Sequence, residues 1–264
     1  MDLKSICSEV ESISKEVGAF LLHERKHFDQ NLVEEKSFNN LVSYVDKSAE
    51  QKFMSKLGDL LPGAGFIAEE SEELKPDDTL NWVIDPLDGT TNFIFNLPFY
   101  CTSVALLKND EILVGVIYDP THDELFSAYK DGGAFLNGKQ IKVSPKNALI
   151  DSLIATGFPY DDFQFEAEYM LLLTSLMKKS KGIRRLGSAA LDLAYVACGR
   201  FDVFYEYGLN SYDVAAGALI VKEAGGAVSD FKGGNDFIFG EEILSSNKKV
   251  HEETLKEIQK FFLK

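Results

Sequence analysis

The sequence predicts a protein of two joined parts, α+β up to about residue 147 and α/β beyond it. Three observations predict this. Apolar residues Leu3, Ile6, Val10, Ile13, Val17, Phe20 and Leu21 recur at helical spacing near the start. Between Cys101 and Val143, β-rich runs separated by turn residues give an antiparallel meander, with Asn137-Gly138 marking a two-residue hairpin. Beyond Ser144-Pro145-Lys146-Asn147, strand and helix signals alternate. A chain of 264 residues suits one large or two closely joined domains, since a domain takes about 100–200 residues. The expected division is 1–147 and 148–264.

The first helix buries its apolar stripe. Its end reads His23-Glu24-Arg25-Lys26-His27, the spacing of zinc peptidases. Flanked by charge and followed by Asp29-Gln30-Asn31, this segment is read as a solvated helix end instead. Residues 36–40 read as a polar loop and 41–45 as an alternating run into Asp46. Asp46 is expected to cap a second helix whose inner side carries Ala49, Phe53, Leu57 and Leu60, and which Leu61-Pro62-Gly63 stops. Gly65-Phe66-Ile67-Ala68 reads as a strand delivering Glu69 and Glu70, although 69–78 reads as well as a plain acidic loop. Trp82-Val83-Ile84 reads as a buried strand. Pro86 cannot donate to a ladder, so pairing is expected to stop as Asp85 emerges. Strands at 102–107, 112–118, 125–129 and 134–143 follow, the last broken by the hairpin. The second part reads as strand 151–156, helices 165–178 and 188–198, strand 202–207, helix 212–224, strands 226–230 and 242–245, and helix 249–262.

Chemistry concentrates after the Trp82 strand. Asp88 follows Asp85 by three residues, and Gly89 allows a tight turn, so both carboxylates can converge where the amides of residues 89–91 open a helical turn. Such a place suits a metal bound beside a phosphate; the same residues also suit an ordinary Asp-Gly turn with an Asp cap. Gly187-Ser188-Ala189-Ala190 starts a small-residue helix whose amides suit an oxygen-rich ligand or a plain cap. Asp213 lies at another helix start, where an Asp is usually a cap. These spots agree with one another, and no rival site built on Cys, His or a nucleophile elbow is visible.

Composition excludes several classes. With 45% hydrophobic residues and 7 prolines the chain is neither disordered nor fibrous. Its longest apolar runs fall short of the roughly 18 residues a membrane span needs, and no basic start followed by an apolar stretch marks a secretory signal. Three separated cysteines, Cys7, Cys101 and Cys198, form no disulfide or metal framework, so a cytoplasmic location is expected. The net charge of −15, from 42 acids against 27 bases, disfavours nucleic-acid binding. It also means that an anionic substrate would need bound cations.

Asp85-Pro86-Leu87-Asp88-Gly89-Thr90-Thr91-Asn92-Phe93, Ala68-Glu69-Glu70-Ser71, and Tyr212-Asp213-Val214-Ala215-Ala216-Gly217 followed by Glu223-Ala224-Gly225-Gly226 resemble the inositol monophosphatase family nearly end to end. Ala134-Phe135-Leu136-Asn137-Gly138 and Gly187-Ser188-Ala189-Ala190 resemble segments of its bacterial members. The resemblance implies a layered α-β-α-β-α sandwich shared with fructose-1,6-bisphosphatases, hydrolysis of a phosphate monoester with two or three Mg²⁺, and a homodimer. By the same resemblance Glu69, Asp85 and the Leu87 carbonyl match ligands of one metal, and Asp85, Asp88 and Asp213 those of another. Glu69 and Thr90 match groups that orient the attacking water, with Asp46 and Lys36 nearby. Gly89 and Thr90 fall where phosphate is held, and Gly187, Ser188, Ala189 and Glu206 where the alcohol is held. Tyr212 replaces a usual Trp, Asn40 a frequent Asp, and Phe95 an often polar residue, which bears on pocket shape. The residues support the same chemistry independently, because four convergent acids stay ionised at neutral pH only beside divalent cations. Inositol monophosphate is the expected substrate. The alternatives are fructose-1,6-bisphosphate, histidinol phosphate, a 3′-phosphoadenosine nucleotide, or a binding protein of the same fold.

Overall fold

The computed structural model describes residues 1–28, 33–37, 40–71, 80–159 and 163–263, with the backbone alone for 33–37 and 40–42. Helix α1 spans Leu3–His27, capped by Asp2, which accepts from the Ser5 amide at 3.2 Å. Strands β1 (Val33–Ser37) and β2 (Asn40–Ser43) pair antiparallel, so the expected polar loop at 36–40 is mostly ribbon. A two-stranded ribbon of Glu34, Glu35 and Lys36 carries no apolar alternation by which to recognise it. Helix α2 (Tyr44–Leu60) starts two residues before Asp46, and its cap is Ser43. Asp46 is instead the returning half of a capping box: its Oδ2 accepts from the Ser43 amide at 2.9 Å and the Ser43 hydroxyl at 2.7 Å.

Seven strands form the first sheet in the order β3 (Gly65–Ala68), β4 (Leu80–Asp88), β5 (Cys101–Lys108), β6 (Glu111–Asp119), β7 (Glu124–Tyr129), β8 (Gly133–Leu136) and β9 (Lys139–Gln140). β3 runs parallel to β4 and the rest is an antiparallel meander. Contrary to expectation, β4 does not stop at Pro86. Asp85 pairs with Ser103 and Asp88 with Cys101, so one extra residue on β4 is accommodated as a bulge, where a proline costs no ladder bond. Asn137 and Gly138 both have positive φ, 49° and 73°, as the expected hairpin requires. β9 ends at Gln140 because the chain then peels away, the Val143 amide donating to Ala224 O at 3.2 Å.

After the short helix α3 (Thr90–Ile94), the remaining elements build the second sheet: β10 (Leu153–Thr156), α4 (Glu166–Lys179), β11 (Gly182–Arg184), α5 (Ala189–Ala197), β12 (Val203–Tyr207), α6 (Ser211–Glu223), β13 (Gly226–Ser229), β14 (Glu242–Asn247) and α7 (Lys248–Phe262). The strand order is β11-β10-β12-β14-β13. β11, a three-residue edge strand without apolar alternation, had no expectation attached to it.

Alternation along the strands assigns the layers. Trp82 and Ile84 of β4 pack in one core with Val10, Val17 and Leu21 of α1 and Phe53 of α2, while Val83 between them joins Leu193 of α5 and Ala216 of α6 on the opposite face. Phe204 of β12 enters that same middle core, whereas Val203 and Tyr205 face Leu172 of α4 and Ile258 of α7. The order is therefore α1/α2, first sheet, α5/α6, second sheet, α4/α7: an α-β-α-β-α sandwich. Small residues draw the middle layer tight. A Cβ on Gly115 would lie 2.7 Å from Ala216 O, and one on Gly217 2.5 Å from Leu193 Cβ.

Candidate active site

The site lies where β3 and β4 end against the starts of α5 and α6. The bulge turns β4 so that Asp85 and Asp88 both leave it toward α6, whose first turn carries Asp213. One oxygen from each of Asp85, Asp88 and Asp213 comes within 4.8 Å of the others. Hydrogen bonds fix each acid. Asp85 Oδ1 accepts from the Leu87 amide at 3.0 Å. Asp213 Oδ2 accepts from the Asn210 amide at 2.7 Å, closing a capping box, so its cap role and its place in the cluster are compatible. Asp88 Oδ2 accepts from the Ser188 hydroxyl and the Ala190 amide, both at 2.7 Å. Ser188 caps α5, accepting from the Leu191 amide at 3.3 Å. The start of α5 thus spends its first donors largely on Asp88.

Thr90 links the cluster to α2: its hydroxyl lies 2.8 Å from Asp46 Oδ1 and 3.0 Å from the Leu87 carbonyl. A cavity of about 120 Å³ opens beside the acids. Glu69, Asp88, Gly187, Ser188, Ala189, Glu206 and Asp213 line it, with Tyr212 at its wall. Asp85, Leu87, Gly89, Thr90 and Asp46 adjoin this lining through β4 and the contacts just given. The side chains of Lys36 and Asn40 lie outside the described residues, and Phe95 is exposed on the surface. His23 and His27, also exposed, stand with ring centroids 4.8 Å apart at the end of α1.

Burial and mutual repulsion dominate the electrostatics. Burial, then Glu69, Asp88 and Asp213, push the Asp85 carboxyl well above the usual range. Burial followed by Asp88 does the same to Asp213. Asp88 rises only to about 6, because its bonds to Ser188 and Ala190 and the Arg185 guanidinium offset its burial. Burial carries Glu206 to about 8 against the pull of Arg185. Acids held this way are short of positive charge, and every donor in the cluster is a carboxylate oxygen, the set a hard divalent cation such as Mg²⁺ prefers.

Sequence reading missed several residues here. Phe158, Gly157 and Asp192 line the same cavity. Arg185 also lines the cavity, and its charge bears on Glu206, whereas Arg184 belongs to edge strand β11. Asn92 ties α3 to the loop before α5, donating to Phe99 O at 2.7 Å and Leu186 O at 2.9 Å. Glu50, buried on α2, accepts from the Glu70 amide at 2.7 Å and from the Ser71 hydroxyl, fixing the end of β3. Asn92 stood inside a noticed motif. Its reach to Leu186 spans 94 residues of chain and that of Glu50 to Glu70 spans 20, separations that no local pattern reveals.

Oxygen ligands gathered between two sheets, with a polar cavity beside them, are the arrangement of a phosphoric monoester hydrolase. The model of the Inositol monophosphatase family matches residues 2–261, and the chain belongs to that family. It is 41% identical over 233 residues to an inositol-1-monophosphatase of Mesorhizobium japonicum, covering 88% of each chain. It is 44% identical over 217 residues to the Nus factor SuhB of Escherichia coli, covering 82% of this chain and 81% of that one. The crystal structure of the extragenic suppressor protein suhB from Bartonella henselae superposes with a TM-score of 0.92 at 40% identity, over 97% of this chain and 99% of that one.

Proposed function

We propose that this chain hydrolyses a phosphate monoester, inositol monophosphate by preference, by direct attack of water without a covalent phosphoenzyme. The observation that carries the reading is the convergence of Asp85, Asp88 and Asp213 beside a polar cavity. In this reading Glu69, Asp85 and the Leu87 carbonyl would hold one Mg²⁺ and Asp85, Asp88 and Asp213 a second, with two or three ions in all. The ions supply charge neutralisation on the phosphoryl and leaving oxygens and acidify a water.

The chain's own groups do the rest. Thr90 donates its hydroxyl proton to Asp46, which leaves a lone pair to accept from the attacking water, and Glu69 holds that water from the other side. First-turn amides of α3, at residues 89–91, have no partner within their own helix and face the phosphate oxygens. Gly187, Ser188 and Ala189 flank the alcohol, and Glu206 accepts from one of its hydroxyls. Residues 1–147 and 148–264 act as two units joined through α5 and α6, in a cytoplasmic homodimer that binds no nucleic acid.

A screen of phosphate release with Mg²⁺ over inositol monophosphate, fructose-1,6-bisphosphate, histidinol phosphate and a 3′-phosphoadenosine nucleotide tests this. Inositol monophosphate should give the highest kcat/KM, and preference for another ester would replace the substrate while leaving the class. A second reading, a regulatory binding protein whose hydrolysis is incidental, is favoured by the relative named as a Nus factor. Absence of Mg²⁺-dependent release on every ester would favour it.

A further inference from the structure

The floor of the cavity holds an acid that the proposed reaction does not use. Asp192, the fourth residue of α5, is 1% exposed and lines the same space as Glu206 and Asp88. Its Oδ1 is buried and accepts no hydrogen bond among the described residues. A buried polar atom without a partner is costly, and a native protein that keeps one needs a reason. Helix capping does not supply it. Ser188 already serves the Leu191 amide and Asp88 the Ala190 amide, so none of these donors reaches Asp192. Nor does charge: among the described residues the groups whose field reaches Asp192 are the acids Glu206 and Asp88, opposed by the Arg185 guanidinium. Leu191, Leu193 and Ala194 around it show that an apolar side chain is at home on this helix. An acid persists where packing and electrostatics both oppose it.

What such a group lacks is a donor, and the space beside it is where a substrate's alcohol would lie. We propose that Asp192 is a second specificity carboxyl for this site, receiving a hydroxyl of a polyol monoester next to the one that Glu206 takes. The inference rests on the monoesterase reading and deepens it by adding a residue, Asp192, to the end of the site that holds the alcohol. The geometry of Glu206 supports a small polar slot. Its carboxylate sits so close over Gly157 that a Cβ there would come 1.9 Å from Oε1, and Asp192 lines the same cavity.

The test compares wild type with Asp192→Leu and Asp192→Asn in saturating Mg²⁺, on inositol 1-phosphate and on phenyl phosphate, whose leaving group offers no further hydroxyl. The expected result for Asp192→Leu is a fall of about tenfold in the ratio of kcat/KM between the two esters, the value of one hydrogen bond to a charged group, taken mainly in KM. Its Tm should hold or rise, because a buried unpartnered oxygen has been removed. Asp192→Asn, which keeps an acceptor, should retain most of the preference. Equal losses on both esters, or a lowered Tm with an unchanged ratio, would overturn the proposal and make Asp192 structural. Calorimetric binding of myo-inositol separates this inference from the reading beneath it. Weaker binding to Asp192→Leu upholds the inference even if neither ester is hydrolysed, and equal binding by wild type and variant overturns it.

Discussion

Asp88 and Glu206 are both buried acids, yet they answer to different neighbours and should fail differently. Asp88 is pinned by Ser188 and Ala190 and also contributes an oxygen to the acid cluster. Asp88→Asn keeps the shape and removes a ligand charge, so kcat should drop on the order of 10³-fold, about 4 kcal/mol of transition-state stabilisation, with the circular dichroism spectrum unchanged. Activity near wild type in that variant, or in excess chelator, would end the metal reading. In the proposed reading Glu206 takes the alcohol side, where a carboxylate receives hydroxyls well but repels a second phosphate. Glu206→Gln should therefore lower kcat/KM for inositol monophosphate more than for fructose-1,6-bisphosphate, by about tenfold in the ratio. Equal losses would mean that Glu206 merely balances Arg185. Gly157→Ala approaches the same question from the other side. The three atoms nearest the added Cβ all belong to the carboxyl end of Glu206, and no positive φ strains the backbone, so the carboxylate should swing away at a stability cost of about 1–3 kcal/mol. A several-fold rise in KM for the polyol ester with unaltered Mg²⁺ requirement is the expected reading.

At the level of elements, most of what the chain does locally was legible and most of what it does at a distance was not. Helices α1, α2, α4 and α7 announced themselves through period, because each buries one face, α5 and α6 through their small-residue helix starts, and the meander through its turn chemistry. The β1/β2 ribbon and edge strand β11 did not, since neither needs an apolar pattern to pair. Pro86 misled because a bulge absorbs it, and that same bulge is what aims Asp85 and Asp88 together. The acids of the site were readable as strand-end and helix-start residues; Asn92, Glu50, Arg185 and Asp192 became meaningful only when distant elements met. The close contact of α6 with β6 makes this interdependence measurable. In Gly115→Ala the new Cβ would press on the backbone of Ala216, which cannot rotate away, so α6 must shift. Unfolding stability should fall by about 1–3 kcal/mol. Because α6 carries Asp213, the Mg²⁺ concentration for half-maximal activity should rise as well. A stability loss without that rise would show that the helix tilts about its first turn.

For the whole molecule, the sandwich places its most repulsive charges at the meeting of its two sheets, where burial makes them expensive to ionise. Asp85, Asp213 and Glu206 all hold protons above the usual carboxylate range, Glu206 up to about 8. The sign of the effect on stability follows. A carboxyl whose folded pKa exceeds its unfolded one leaves the native state richer in protons, so its contribution is complete below the ordinary carboxylate range and is lost as pH rises through the folded value. In chelator, Tm should therefore fall as pH is raised from about 5 to about 9, by a free energy on the order of a few kcal/mol. Glu206→Gln should flatten the upper part of that slope. Mg²⁺ should act in the opposite sense, because it binds the ionised acids and is favoured as their protons leave, so the Tm gained on adding it should grow with pH. Thermal scans across that range, with Mg²⁺ and with chelator, decide the matter. A metal-free Tm that climbs with pH would mean that the acids are already ionised in the fold without their ions, and an Mg²⁺ effect independent of pH would mean that the ions bind elsewhere.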